Sequence, residues 1–259
     1  MMDINNYDIV ADLYDTYVPV TFDVDFFINE TRKTSGEVLE LMSGTGRISI
    51  PLLEDGVRLT CADKSEKSNA ILRTKLEQKQ LKADVYTMDV CELNLSKQFS
   101  MVIIPFHSFA HIIPLDDQIK ALSRISQHLL PRGTFICTLR NPTVRRGDID
   151  GQLKLAFTYP LVEKQGRLLW WMLEEFYPDD NQVVNAYEIY EEYDASGILT
   201  SKRLMELHFR LTPKDEFEEL LKDAGFCIKA LYGDYDYHEF DAQSSPSMVW
   251  VLNKKDPSQ

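Results

Sequence analysis

Long apolar runs are missing from this chain of 259 residues. The longest are only a few residues, such as Met101-Val102-Ile103-Ile104-Pro105-Phe106, far short of the roughly 18 to 20 residues that a membrane-spanning helix needs. The opening residues, Met1-Met2-Asp3-Ile4-Asn5-Asn6, hold neither a basic stretch nor an apolar one, so no secretory signal is expected. Cysteines are few and scattered. Cys61, Cys91, Cys137 and Cys227 form no Cys-x-x-Cys pair, which argues against a zinc site or a disulfide framework and for core thiols in a cytoplasmic protein. No metal site is expected. Basic charge is also short: 28 Lys and Arg stand against 41 Asp and Glu, a net charge of −13. Such a surface repels polyanions, so neither nucleic acid nor an anionic membrane is expected as a partner. Repeats and low-complexity linkers are absent too.

What remains is 44% hydrophobic, enough for a sizeable core. The length sits near the upper limit for one core, which suggests a single domain carrying an insertion. Val38-Leu39-Glu40-Leu41 reads as a buried strand running into a glycine turn, with a helix start over 48–53. Further strands are expected at 58–63, 83–87, 99–104 and 134–139. Ser65 is placed to cap a helix that carries Ile71, Leu72 and Leu76 on one face. Leu115, Ile119, Leu122, Ile125 and Leu129 form the stripe of an amphipathic helix, ended by Pro131-Arg132-Gly133. Strand–helix alternation of this kind implies a parallel sheet covered on both faces, in a doubly wound α/β fold.

After Asn141-Pro142 the pattern changes. Residues 167–176 and 183–193 are aromatic and β-branched, separated by the turn Pro178-Asp179-Asp180-Asn181. Past a second turn, Asp194-Ala195-Ser196-Gly197, residues 205–211 alternate with period 2. The expected organisation is therefore a main domain over 1–149 and 212–259, with an antiparallel β insertion over 150–211. Thr212 and Pro213 then open a helix with Phe217, Leu220, Leu221 and Ala224 on its apolar face, stopped by Gly225. Strands at 226–231 and 248–252 close the sheet.

The glycine turn carries the chemistry. Met42-Ser43-Gly44-Thr45-Gly46-Arg47 lets the backbone approach a ligand, but no Gly-Lys-Ser/Thr follows, so it is not a P-loop. The dinucleotide pattern G-x-G-x-x-G is also incomplete, with Ser49 in its third position. Three acids surround the turn. Glu40 lies on the first strand, placed to orient the loop or to meet a ligand ammonium. Asp63 ends the second strand, where a carboxylate accepts from ribose hydroxyls. Asp89 follows the third, where it can accept from an adenine amino group. Together they describe a site for an adenosyl ligand with a cationic, non-phosphate tail.

In these pieces the chain resembles the class I S-adenosylmethionine-dependent methyltransferases of the small-molecule type. The resemblance rests on Val38 to Arg47, Cys61-Ala62-Asp63-Lys64-Ser65, Met88-Asp89-Val90, Ile103-Ile104-Pro105-Phe106 and Leu129 to Phe135. It continues in Leu211-Thr212-Pro213 and Ala224-Gly225-Phe226, and it spans most of 7–140 and 211–253. It implies a Rossmann-like seven-stranded sheet with the antiparallel insertion after the fifth strand. S-adenosylmethionine would be the cofactor, held by Tyr14, Glu40, Met42, Ser43, Gly44, Gly46, Asp63, Lys64, Asp89, Val90 and Pro105. Met42 departs from the family's usual glycine. Ala11 to Tyr17 looks like the N-terminal helix that closes over the cofactor. Tyr14 would touch the carboxylate end of the cofactor, and Tyr17 would face the acceptor.

Around the acceptor the candidate catalytic residues are Tyr14, Tyr17, His107 and His111. Either histidine suits a general base, since imidazole titrates near neutrality. Arg47 reads equally as a solvated first-turn residue or a site residue. His128 is expected to complement a helix end, and His208 to face solvent. The aromatic residues Trp170, Trp171, Phe176, Tyr187, Tyr190 and Tyr193 suit a sheet core, with a few lining the acceptor pocket. Asp234 to His238 suits a surface loop or a polar rim. From 168 to 201 there is no Lys or Arg but eight acids: Glu174, Glu175, Asp179, Asp180, Glu188, Glu191, Glu192 and Asp194. Solvated strand edges explain them; bordering the pocket, they would favour a neutral or cationic acceptor. The expected activity is methyl transfer to N or O of a small molecule. An NAD-dependent oxidoreductase, a non-catalytic S-adenosylmethionine-binding protein and a methyltransferase acting on basic proteins are the alternatives. Self-association as a homodimer is left open.

Overall fold

The computed structural model describes residues 4–255. The chain starts with two 3-10 turns, Tyr7–Ile9 and Ala11–Leu13, running into a single turn α1 (Tyr14–Tyr17) and then α2 (Val24–Thr31). Alternation follows: β1 (Val38–Leu41), α3 (Ser49–Glu54), β2 (Leu59–Asp63), α4 (Glu66–Lys79), β3 (Asp84–Thr87), β4 (Phe99–Ile104), α5 (Leu115–His128) and β5 (Leu129–Arg140). After the short α6 (Pro142–Arg145) come β6 (Lys154–Leu161), β7 (Gly166–Tyr177), β8 (Asp180–Tyr193) and β9 (Leu199–Arg210). Finally α7 (Lys214–Asp223), β10 (Phe226–Tyr232) and β11 (Ser247–Lys254) return to the first sheet.

The main sheet has seven strands in the order β10-β11-β5-β4-β1-β2-β3. β1 to β5 run parallel, and β11 runs antiparallel between β5 and the edge strand β10. A strand alternates its side chains between two faces, so a strand buried on both sides reads as a continuous apolar run. β4 shows this. Val102 and Ile104 pack with Ala121, Leu122 and Ile125 of α5 and with Phe217 and Leu221 of α7. Met101 and Ile103 pack with Phe26 and Phe27 of α2, Leu52 of α3 and Leu72 of α4. Helices thus cover both faces, the expected doubly wound arrangement. The insertion after β5 forms a separate antiparallel sheet, β6-β7-β8-β9.

Several expectations shift in detail. β5 begins at Leu129 rather than 134, because Leu129 pairs with Phe99 before an irregularity that carries Pro131 to Gly133. In α5 the buried stripe is rotated: Leu115 and Ile119 are exposed, and Gln118 is buried with its Nε2 donating to the Ile112 carbonyl at 2.7 Å. Pro213, not Thr212, is the residue before α7. β6 was not anticipated. It is an edge strand with five of its eight residues exposed, and it tolerates Pro160 because an edge amide need not pair. α2 left no signal beyond its apolar Phe26 and Phe27. The expected N-terminal helix is mostly 3-10 turn, with only one α turn at Tyr14–Tyr17.

Candidate active site

The carboxyl ends of the parallel strands share one edge, where ligands bind in open α/β sheets. At the end of β1 the chain reverses through a run of positive φ: Met42 at 57°, Gly44 at 54° and Gly46 at 88°. At Gly46 any side chain would collide, since a Cβ there would lie 2.4 Å from Leu72 Cδ1 on α4. At Gly44 there is open space instead, so the backbone itself faces the cleft. Met42 takes the same left-handed backbone with a side chain, at a cost of about 1–2 kcal/mol.

Asp63 holds this turn in place. One carboxylate oxygen accepts from the Gly44 amide and the other from the Ser65 amide, both at 2.8 Å. Burial raises the Asp63 carboxyl above its ordinary range, and the two amides pull the other way. The Met88 amide donates to the Asp63 carbonyl at 3.0 Å, which brings the Met88-Asp89-Val90 segment beside it. Asp89 is exposed and accepts from the Cys91 amide, capping a short turn over a buried Val90. Lys64 is exposed next to Asp63, and Pro105 is buried at the end of β4. Ser43 has a buried hydroxyl with no hydrogen-bond partner.

Glu40 lies beneath the turn, 1% exposed. Ser49, the residue that breaks the dinucleotide pattern, donates its hydroxyl to Glu40 at 2.6 Å. Burial pushes the Glu40 carboxyl up to about 8 from an ordinary 4.5. Between these values the folded chain keeps a proton that the unfolded chain has lost. This stabilisation is full below about 4.5 and disappears as pH rises through 8. Asp63 and Glu188, also raised by burial, add to the same trend. The ligand-free protein should therefore melt several degrees lower at pH 8 than at pH 6. In Glu40→Gln, which keeps an acceptor for Ser49, the drop should be visibly smaller. Parallel curves for the two proteins would remove Glu40 from this titration.

The N-terminal segment packs over the turn. Thr45 donates to Asp15 at 2.7 Å, Lys75 reaches Asp15 at 2.6 Å, and Ser65 donates to Asp8. Tyr7, Tyr14 and Tyr17 follow edge to face, with ring centroids 6.3 and 5.4 Å apart. Tyr17 then meets the inserted sheet, 5.2 Å from Trp170 and 4.9 Å from Tyr190. The Tyr17 hydroxyl has no hydrogen-bond partner, although Tyr190 is its neighbour. Burial pushes the Tyr14 phenol up to about 12.

The two histidines separate in role. Phe106 and His107 both adopt left-handed backbone at the end of β4, with φ 54° and 61°. Consecutive strained residues of this kind concentrate at functional sites. The His107 amide donates to Thr138 Oγ1 at 2.8 Å, while its buried Nδ1 is unpartnered. Burial, then Arg140 and Arg47, drive its pKa well down, so the ring is neutral. His111 is engaged on both sides: Nδ1 donates to the His208 carbonyl at 3.0 Å and Nε2 accepts from the Tyr7 hydroxyl at 3.3 Å. Tyr7 thus joins the site although its sequence context gave no sign of it.

Other residues differ from their sequence readings. Arg47 is not a solvated residue: it pairs with the fully buried Asp23 at 2.5 and 2.7 Å and lies over the Phe106 ring at 4.4 Å. His208 is not solvated either; its amide donates to Asn5 and its ring meets Glu206 at 3.2 Å. His128 does serve its helix end, donating to the Arg124 carbonyl and accepting from the Leu95 amide. In the acidic stretch, Glu188 and Glu192 are buried, and Glu174 pairs with Arg145. Asp234 is occupied within its own loop by His238 and Asp236. A cavity of about 560 Å³ lies at the opposite edge of the sheet, near Arg58 and Asp84.

Residues 38–133 match the family model described as "Methyltransferase domain". Over that stretch the chain is similar to a methyltransferase domain. A putative methyltransferase of Bacillus subtilis (strain 168), YqeM, is 26% identical over 227 residues, covering 84% of each chain. Among solved structures, an S-adenosylmethionine-dependent methyltransferase from Clostridium acetobutylicum ATCC 824 matches with a TM-score of 0.81 at 20% identity, over 97% of this chain and 100% of that one. The sugar N-methyltransferase KedS8 from Streptoalloteichus sp. ATCC 53650 matches with a TM-score of 0.74 at 17% identity, over 95% and 92%. The family, the enzyme class and the S-adenosylmethionine cofactor expected from the sequence agree with these matches. The geometry of the domain fits such a cofactor: an open backbone at Gly44, an unpartnered Ser43 hydroxyl and a fixed Asp63 carboxylate share one edge.

Proposed function

We propose that the protein is an S-adenosylmethionine-dependent methyltransferase acting on N or O of a small molecule. The observation that carries this reading is Asp63, whose carboxylate ties the open Gly44 turn to the end of β2. In this reading Glu40, Met42, Ser43, Gly44 and Gly46 frame the methionine end. Asp63 and Lys64 hold the ribose, Asp89 and Val90 border the adenine, and Pro105 closes one side. Tyr14 covers the carboxylate end of the cofactor, and the inserted sheet over 150–211 walls the acceptor chamber against Tyr17.

The cofactor supplies an electrophilic methyl group on a sulfonium leaving group. The protein's part is to orient the acceptor, exclude water and accept a proton where one must leave. Tyr7, Tyr14 and Tyr17 exclude water. His107 is the better base of the two histidines, since it is neutral with a free Nδ1, whereas both nitrogens of His111 are occupied. An oxidoreductase reading loses support because Ser49 stands at the third glycine position and its hydroxyl is committed to Glu40. The four cysteines are free, which suits a reducing compartment, and we assign the enzyme to the cytoplasm.

Calorimetry with S-adenosylmethionine and a metabolite panel read by S-adenosylhomocysteine release tests this reading. Saturable binding of the cofactor with turnover on at least one small acceptor is expected. No binding to the unmodified protein sinks it. Binding without product on any acceptor favours the non-catalytic alternative.

A further inference from the structure

Glu188 is the residue that this reading leaves unexplained. It lies on β8, 6% exposed, on the face that the inserted sheet turns toward the N-terminal segment. Its one hydrogen bond comes from the Tyr190 hydroxyl, two residues along the same face. Among the described residues, no cation pairs with it. The nearby acid Glu174 keeps Arg145 for itself, and Glu192 takes Lys164 and Arg203. A buried carboxylate without a cation is expensive to maintain for packing alone.

Its surroundings are those of a cation site. Tyr190 stacks on Trp170 at 6.1 Å with planes 8° apart, and Tyr17 closes the third side. Aromatic faces attract an ammonium, and a carboxylate among them adds a charge-assisted hydrogen bond. The Trp170 Nε1 lies beside Glu188 as a donor, and the Tyr17 hydroxyl, on a side chain 5% exposed, has an oxygen free to accept. A free acceptor beside an uncompensated carboxylate points to a ligand that supplies both charge and donors.

Resting on the methyltransferase reading above, we propose that Glu188 binds the ammonium group of an amine acceptor and takes its proton. In that step one N–H bond of the ammonium breaks, an O–H bond forms on Glu188, and the nitrogen is left with a free lone pair. The proton passes to solvent after the product leaves. Glu188 would thus select amines over alcohols, as the acidity of the insertion suggests.

The titration of Glu188 fits this role. Burial pushes its carboxyl up to about 7, Glu174 on β7 raises it further, and the Tyr190 and Trp170 donors lower it. From the N-terminal segment only Tyr7 and Tyr17 face it, both phenols raised well above their ordinary range by burial and by Glu188 itself. His111 stands behind Tyr7 and is held neutral by burial. An ammonium ligand requires ionised Glu188, so its affinity should rise with pH and level off above about 7.

The test is binding, measured by calorimetry on protein saturated with S-adenosylhomocysteine, with cyclohexylamine and cyclohexanol as probes. The ammonium should bind at least about tenfold more tightly than the alcohol, and Glu188→Gln should remove that preference while leaving S-adenosylhomocysteine affinity unchanged. In the unaltered protein, ammonium affinity should fall about fivefold from pH 7 to pH 6, a readout independent of how the variant folds. Equal affinity for amine and alcohol, absence of ammonium binding, or a flat pH profile overturns the proposal with the methyltransferase reading intact. Failure of S-adenosylhomocysteine itself to bind overturns both.

Discussion

Replacing Asp63 with alanine is expected to weaken S-adenosylmethionine binding by about 100-fold or more. The side chain does two jobs at once. Its carboxylate accepts the Gly44 and Ser65 amides at 2.8 Å each, fixing the turn that faces the cleft. In the proposed complex its remaining lone pairs accept from the ribose. Hydrogen bonds to a charged group contribute about 1.5–3 kcal/mol each, so losing one or two to the ligand accounts for roughly one to four powers of ten. The amides left behind add a stability cost of about 1–3 kcal/mol each where they stay unsatisfied, partly offset by removing a buried charge. Asp63→Asn separates the two contributions. It keeps the volume and one acceptor for an amide, but an amide nitrogen cannot accept the second. Its melting temperature should lie nearer that of the unaltered protein, and its affinity nearer that of alanine. Calorimetry of the three proteins decides: affinities within threefold of one another would remove Asp63 from the cofactor site.

The strand–helix alternation and the two-sided burial were legible because β1, β2 and β4 are short, mostly apolar runs and α5 repeats at helical spacing. Length arbitrates between those patterns. Of the candidate site, the turn was legible where a local rule demanded a residue type: glycine at positive φ, an acid at the end of β2. What escaped was set by tertiary context. Glu188 sits in an alternating strand whose neighbours Tyr187, Ile189 and Glu191 are half-exposed, and nothing in its sequence says which face is buried. Tyr7 becomes part of the site only because His111, over 100 residues away, turns its Nε2 toward it. His208 follows the alternation of β9 yet is covered by Asn5 from the N-terminal segment. Long-range contacts of this kind leave no periodic trace.

Arg47 is the clearest such case, and Arg47→Ala should destabilise the protein by about 3–5 kcal/mol. The guanidinium is 11% exposed and grips the fully buried Asp23 through both carboxylate oxygens. It also donates to the Val20 carbonyl at 3.1 Å and covers the Phe106 ring. Bidentate pairs are the strong ones, but the larger cost arises from what truncation leaves behind, an ionised Asp23 with neither water nor partner. For a chain of this size such a loss lowers the melting temperature on the order of 10 °C. The consequence reaches the site, because Arg47 begins where the Gly44-Thr45-Gly46 turn ends and binds it to residues 20–23. Cofactor affinity should therefore fall together with stability. Double substitution tests the cause. If the uncompensated carboxylate dominates, Asp23→Ala combined with Arg47→Ala recovers part of the lost stability, and the two single costs are far from additive. Additive costs, or an Arg47→Ala penalty below about 1 kcal/mol, would instead class the pair with exposed ion pairs that contribute little. The double variant should still bind S-adenosylmethionine more weakly than the unaltered protein, since the tether to the turn is gone even when the charge is not stranded.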